Sequence, residues 1–230
     1  SAREVCGFDA EYPFNHPFPR QPTELNNMAD ARKVFDGYDT GVLYADRTIE
    51  RVLKAVEARG WLDDTWIIIS ADHGENLGEF NIYGDHQTAD TITSRVPLII
   101  RPPQNVTCER GRVDESLIYQ GDMAATMLEL AGGEVPVGWD SKSFAPQFKT
   151  NQPADHRTEL VLSQMAWSCQ RSIRWDDWLC IRSYHDGYHG FPPVMLFNVV
   201  EDPHLQNDLA PTKVDVSNHG IALLDKWMGE

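Results

Sequence analysis

The chain has 230 residues, 41% hydrophobic and 10% aromatic, a balance that sets it apart from disordered chains and provides for one sizeable core. Its 20 Lys and Arg stand against 35 Asp and Glu, a net charge of −15. That argues against nucleic acid, which needs clustered cations to replace phosphate counterions, and disfavours an anionic membrane surface. No apolar run reaches the roughly 18–20 residues that span a bilayer.

Residues 1–25 are rich in proline and aromatics (Tyr12-Pro13-Phe14, His16-Pro17-Phe18-Pro19) and read as an irregular lead-in. Over residues 27–59, Val34, Tyr38, Val42, Ala45, Ile49, Val52, Leu53 and Val56 recur at three- and four-residue steps. This predicts one amphipathic helix, capped by Asn26 or Asn27 and stopped by Gly60. Residues 65–71 form a continuous apolar, β-branched run, which predicts a buried parallel strand. Residues 96–101 are a second such strand, ended by Pro102-Pro103. A helix follows at 122–131, stopped by Gly132-Gly133, and the turn-rich stretch 133–155 reads as a linker. Short strands at 160–165, 172–175, 178–183 and 195–199 then predict a small antiparallel sheet, closed by a helix at about 214–228. The chain thus divides into an α/β portion, residues 1–150, and a small antiparallel subdomain, residues 151–230. Cys6, Cys108, Cys169 and Cys180 are scattered with no C-x-x-C pair, which speaks against a zinc ribbon or redox pair and for free structural thiols. A Cys169–Cys180 bridge between neighbouring strands stays open.

The chemistry gathers after the first apolar strand, in Ser70-Ala71-Asp72-His73-Gly74-Glu75-Asn76-Leu77-Gly78-Glu79. Ligands of open α/β sheets collect outside the carboxyl ends of strands. Asp72 and His73 would supply one oxygen and one nitrogen to a metal, and Gly74 lets the backbone turn sharply beside them. An Asp-His pair standing alone is more often a cap or turn former. Here it is followed by Gly84-Asp85-His86-Gln87-Thr88-Ala89-Asp90 and by Ser94-Arg95-Val96-Pro97-Leu98-Ile99-Ile100. Together these segments resemble the sulfatase family of the alkaline-phosphatase-like superfamily: a strand, S/T-x-D-H-G-E-x-L-G, a short loop, then R-V-P-L-I-I-R. The stretches Tyr38-Asp39-Thr40-Gly41, Gly60-Trp61-Leu62-Asp63-Asp64-Thr65, Gly121-Asp122-Met123-Ala124-Ala125-Thr126 and Leu196-Phe197-Asn198-Val199-Val200-Glu201-Asp202-Pro203 are similar to that family in the same order.

The resemblance implies an α/β fold, part of an alkaline-phosphatase-like sheet sandwiched by helices, followed by a small C-terminal antiparallel sheet with a terminal helix. It implies that Asp72 and His73 are two ligands of the active-site metal, that the ion is calcium, and that the substrate is a small-molecule sulfate ester. Physical chemistry pulls toward manganese or zinc, because an imidazole ligand is uncommon for a hard, oxygen-seeking ion. The family draws two further Asp ligands from a strand that is not in this chain, and a nucleophile from a C-x-P-S-R motif. Cys169-Gln170-Arg171-Ser172 and Cys180-Ile181-Arg182-Ser183 both lack the proline. The expectation is therefore that the chain corresponds to the family's C-terminal half, is inactive by itself, and takes its own N-terminal half or a homo-oligomer as partner to cover exposed strand edges. A phosphonate or phosphodiester hydrolase of the same superfamily and a non-catalytic fragment are the alternatives.

Many sulfatases place a substrate-contacting Lys in the loop after the metal pair, where this chain has Asp85-His86. His86 is the catalytic candidate for that position, donating a hydrogen bond or proton to a sulfate oxygen, with a loop histidine of no role as the alternative. Asp85 reads as a solvated carboxylate, with orientation of a histidine as the other possibility. Glu75 and Glu79 read as loop-stabilising groups, and Glu201, Asp202 and Asp208 as a solvated turn; His185 and His189 read as surface-loop histidines, with loops that overhang the active-site cleft and read the organic part of the substrate as the other possibility. Trp167, Trp175 and Trp178 are expected to pack the small sheet.

Overall fold

A computed structural model describes residues 3–4, 24–151, 157–166, 168–185, 187 and 189–229. His16, Cys6 and Trp167 lie outside the described residues. Strands β1 (Arg3–Glu4) and β2 (Glu24–Leu25) pair antiparallel. Helix α1 (Met28–Glu57) begins where the Asn27 side chain accepts hydrogen bonds from the amides of Ala29 and Asp30, satisfying two donors of the first turn. Gly60, at φ 71°, turns the chain away after its end. Of the expected apolar stripe only Val34, joined by Ala31, is buried, while Tyr38, Val42 and Val52 are exposed. The periodicity predicts the helix; nothing among the described residues covers most of its stripe.

The triple-isoleucine strand β3 (Ile67–Ser70) pairs with β6 (Leu98–Arg101), and the pairing is antiparallel, with Ile68 opposite Ile100 and Ser70 opposite Leu98. The expectation of a buried parallel strand is corrected on both counts, since every residue of β3 is only half-buried. The chain between the two strands returns without a crossover helix. It forms a hairpin, β4 (Asn76–Leu77) with β5 (Tyr83–Asp85), and then the single turn α2 (Thr91–Ser94). Helix α3 (Gln120–Leu130) follows and ends before Gly132, at φ 84°. The stretch expected to be a linker contains the short helix α4 (Gln147–Thr150), and Phe144 and Ala145 are buried there. Phe148 meets Trp66 edge-on with ring centroids 5.0 Å apart.

Beyond it, β7 (Glu159–Gln164), β8 (Cys169–Trp175), β9 (Trp178–His185) and β10 (Val194–Asn198) form a four-stranded antiparallel sheet in sequence order. Side chains alternate across a strand, and here both faces are covered. Val161, Ile173, Trp175, Cys180 and Leu196 pack with Leu224 of α5 (Val214–Met228) on one face. Leu179, Ile181, Met195 and Phe197 pack on the other, against Phe80 and Ile92 of the loop between β3 and β6. Gly220 allows α5 to lie this close, since a Cβ there would fall 2.6 Å from Cys180 Cβ. Cys169 and Cys180 are free thiols, so no bridge joins those strands. No helix among the described residues is long and apolar enough to cross a membrane.

Candidate metal centre

The site begins at the last residue of β3. Ser70 ends the ladder, and after Ala71 the side chains of Asp72 and His73 project from a backbone free of strand pairing. Asp72 is 88% exposed in its side chain, and its Oδ1 accepts from the His73 amide at 3.0 Å. That amide, more than any other group, draws the Asp72 carboxyl below its ordinary range, with the His73 ring adding to the effect. His73 Nδ1 lies 2.8 Å from the Gly74 carbonyl oxygen. A carbonyl only accepts, so Nδ1 donates here, and in the neutral ring Nε2 is left with its lone pair. This is the arrangement in which a metal-binding histidine is held by a backbone carbonyl. Nε2 stands 3.8 Å from Asp72 Oδ2, a gap one cation bridges when it sits about 2.0–2.6 Å from each donor. The donor chemistry and spacing fit a divalent ion.

Gly74 is required by space. A Cβ at this position would lie 2.2 Å from the Ile92 carbonyl oxygen, and the Gly74 amide donates to the Thr93 carbonyl at 2.7 Å. The hairpin then carries the chain out and back, pairing Asn76 with Asp85, so that His86 arrives beside His73. The two imidazoles stack with centroids 3.7 Å apart and planes inclined by 24°. Glu75 joins them: ligand atoms of His73, Glu75 and His86 all lie within 4.8 Å of one another. Burial, with the Asp85 charge second, pushes the Glu75 carboxyl upward. The loop-stabilising role expected of Glu75 therefore omits its most informative feature. Its place two residues after His73 in the D-H-G-E segment is the only sequence signal for it.

Asp85 is buried instead of solvated. One of its oxygens accepts from the His86 amide at 2.7 Å and the other from Gln87 Nε2 at 2.8 Å, which fixes the backbone that presents His86. A second polar cluster braces the loop from beneath. Asp90 caps α2 by accepting from the Thr93 amide at 2.7 Å, and it also accepts from Asn76 Nδ2 and the Thr88 hydroxyl. Burial raises the Asp90 carboxyl, and those hydrogen bonds work against the rise.

The C-terminal sheet grips the same loop. Gln164 donates to the His86 carbonyl, Ser168 to the Gln87 carbonyl, and Gln170 accepts from the Ala89 amide. His189 reaches the Gln87 side chain at 2.7 Å and is half-buried, so it is not a plain surface histidine. His185 is exposed at the end of β9 and accepts from the Gly187 amide. Glu79 behaves as expected of a loop stabiliser, accepting from the Leu77 amide and bonding His204 across the two parts of the chain. Asp208 departs from the solvated-turn expectation, because it accepts from the Leu196 and Ala210 amides.

Residues 8–133 match the family model described as Sulfatase, and residues 78–217 match one described as N-sulphoglucosamine sulphohydrolase, C-terminal. The multifunctional alkaline phosphatase superfamily protein PehA of Trinickia caryophylli is 30% identical over 72% of this chain and 34% of its own length. An N-acetylglucosamine-6-O-sulfatase of Bacteroides thetaiotaomicron is 29% identical over 75% of this chain and 31% of its own. The chain thus spans about a third of the length of these curated relatives. A structure of a protein in complex with its substrate D-glucosamine-2-N,6-O-disulfate superposes with a TM-score of 0.69 at 26% identity, covering 82% of this chain and 39% of that one. With a family model matched over more than half of its residues, the chain belongs to the sulfatase family.

Proposed function

We propose that this chain supplies part of the active site of a metal-dependent hydrolase of sulfate esters, with Asp72 and His73 as ligands of a divalent cation and His86 as the catalytic group beside them. The observation that carries the reading is the setting of His73: its Nδ1 lies 2.8 Å from the Gly74 carbonyl oxygen and its Nε2 lies 3.8 Å from the Asp72 carboxylate. When bound, the cation would polarise the sulfuryl oxygens. The ionised Asp72 carboxylate gives the anionic substrate's counter-ion a fixed seat in an otherwise acidic protein. His86, stacked on His73 and 45% exposed in its side chain, is placed to donate a hydrogen bond or proton to a sulfate oxygen or the leaving alcohol. Asp85 and Gln164 hold the His86 backbone through its amide and carbonyl, limiting where that ring can go.

Family membership and relatives whose printed names are sulfatases support the sulfate ester as substrate. No residue of this chain is assigned as nucleophile, because none of its cysteines stands in a C-x-P-S-R motif. Calcium is the ion we propose from the family resemblance; the imidazole donor makes manganese or zinc the outcome that would displace it. In the full-length gene product, p-nitrophenyl sulfate should be hydrolysed, and Asp72→Ala or His73→Ala should abolish turnover. His86→Ala should lower kcat about 10²-fold or more while leaving bound metal in place. Faster hydrolysis of a nitrophenyl phosphodiester than of the sulfate would overturn the sulfatase reading in favour of its phosphate or phosphonate counterpart.

A further inference from the structure

A residue far from the motif holds the backbone that carries the ligand pair. Gln120 is the first residue of α3, 48 positions after Asp72. Its Nε2 donates to the Asp72 carbonyl at 2.6 Å and to the Ala71 carbonyl at 3.0 Å. Both partners are carbonyl oxygens, so only the NH2 end of the amide can serve, and its two protons match the two acceptors. Asp72 has no packing to fix it, being 88% exposed, and the ladder to β6 ends at Ser70. The Gln120 strap therefore takes over where strand pairing stops.

The strap is anchored at its far end. Two residues along α3, Asp122 is fully buried and accepts from the Tyr119 amide at 2.8 Å, the Lys142 amide at 2.6 Å and the Arg157 guanidinium. Arg157 lies over the Tyr119 ring at 4.7 Å, and the Tyr119 hydroxyl exchanges hydrogen bonds with the Val161 amide and carbonyl in β7. The first turn of α3 is thus fixed to the C-terminal sheet. From that base the exposed Gln120 side chain reaches the peptide that bears the ligands.

We propose that Gln120 is a positioning residue for the metal pair, holding the 71–72 peptides so that Asp72 and His73 face one ion. The inference rests on the metal-site reading above. It touches neither ligand side chain, so its effect is on their placement.

The test is a titration of the full chain with Mn2+ and with Ca2+ alone, comparing the unaltered protein, Asp72→Ala, Gln120→Ala and Gln120→Met. Methionine keeps the length of glutamine but has no donor. Both Gln120 variants should bind metal about 10-fold more weakly, with the melting temperature of the metal-free protein within about 2 °C of the unaltered value. In the metal-free protein, amide hydrogen exchange at Gly74 should become several-fold faster in both. Unchanged metal affinity in Gln120→Met, with Asp72→Ala having lost binding, would overturn this inference and leave the metal site standing. Equal binding, or none, in the unaltered protein and Asp72→Ala would overturn the metal site and this inference with it. Weaker binding accompanied by a large fall in melting temperature would make Gln120 a structural residue and would also overturn it.

Discussion

Gly74→Ala is the sharpest perturbation of the site that keeps the identity of every ligand residue. The added Cβ would lie 2.2 Å from the Ile92 carbonyl oxygen and 3.2 Å from Thr93 Cα. Carbon and carbonyl oxygen come no nearer than about 3.3 Å in ordinary close contacts, so the two segments must part by about 1 Å. Both are backbone and cannot rotate away. Gly74 is not among the positive-φ glycines, so alanine meets no conformational penalty and even gains a little by restricting the unfolded chain. Overpacking of this kind costs about 1–3 kcal/mol, and the offset leaves a net loss of about 1–2 kcal/mol. For a chain of this size that lowers the melting temperature by about 3–6 °C. The same displacement breaks the Gly74–Thr93 hydrogen bond of 2.7 Å and moves His73, so divalent-metal affinity should fall about 10-fold or more. Gly41→Ala is the control: it lies in the exposed face of α1 with nothing within 4 Å, and it should stabilise by up to about 1 kcal/mol. Differential scanning calorimetry and a metal titration read both effects. A Gly74→Ala protein that melts and binds metal like the unaltered chain would refute the packing argument.

Three further outcomes follow from particular groups. Burial works against ionisation of Glu79, yet the His204 hydrogen bond and the Leu77 amide outweigh it and depress its carboxyl below the ordinary 4.5. A depressed carboxyl stabilises above its unfolded value and loses that contribution as pH falls through the folded one. Glu79→Gln should therefore melt lower than the unaltered chain at pH 7 and show a shallower loss between pH 4.5 and lower pH; identical pH profiles would contradict this. Burial pushes the Cys180 thiol up to about 12, so a thiolate reagent at pH 8 should label half-buried Cys108 in the native protein and leave Cys180 untouched until denaturant is added. Mass spectrometry showing equal native labelling would exclude the packing described for β9. Asp122→Ala strands the Arg157 guanidinium, itself 10% exposed, and should cost about 3–5 kcal/mol, a fall of about 10 °C or more in melting temperature; a fall under about 2 °C would remove the Asp122–Arg157 anchor from the account.

What the sequence makes legible depends on how local the signal is. The terminal helix α5 is predicted at about 214–228 and found at Val214–Met228, because a helical apolar period is a local signal. The boundaries of α1 are equally local, set by Asn27 and Gly60. Strand direction is not local: Ile67, Ile68 and Ile69 form the same apolar run whether the neighbour is parallel or antiparallel, and β6 turns out to be antiparallel. The site divides in the same way. Asp72 and His73 stand together in the chain, and Gly74 beside them announces a close approach. His86 is placed next to His73 only once the Asn76–Asp85 pairing closes the hairpin. Asp85 reads as a solvated loop carboxylate, although its hydrogen-bond partner Gln87 stands only two positions on; its burial depends on how the loop packs. His189 and Gln120 reach the site from 102 and 48 positions away, so chain order alone does not place either beside it.

The claim on which the rest depends is that one divalent ion sits between Asp72 and His73. An anomalous difference map, collected on crystals grown with the metal identified by X-ray fluorescence, tests it directly. The account predicts a single peak about 2.0–2.6 Å from both a carboxylate oxygen of Asp72 and Nε2 of His73. A peak shared by His73, Glu75 and His86 with Asp72 left outside, or no peak within the loop, would contradict it.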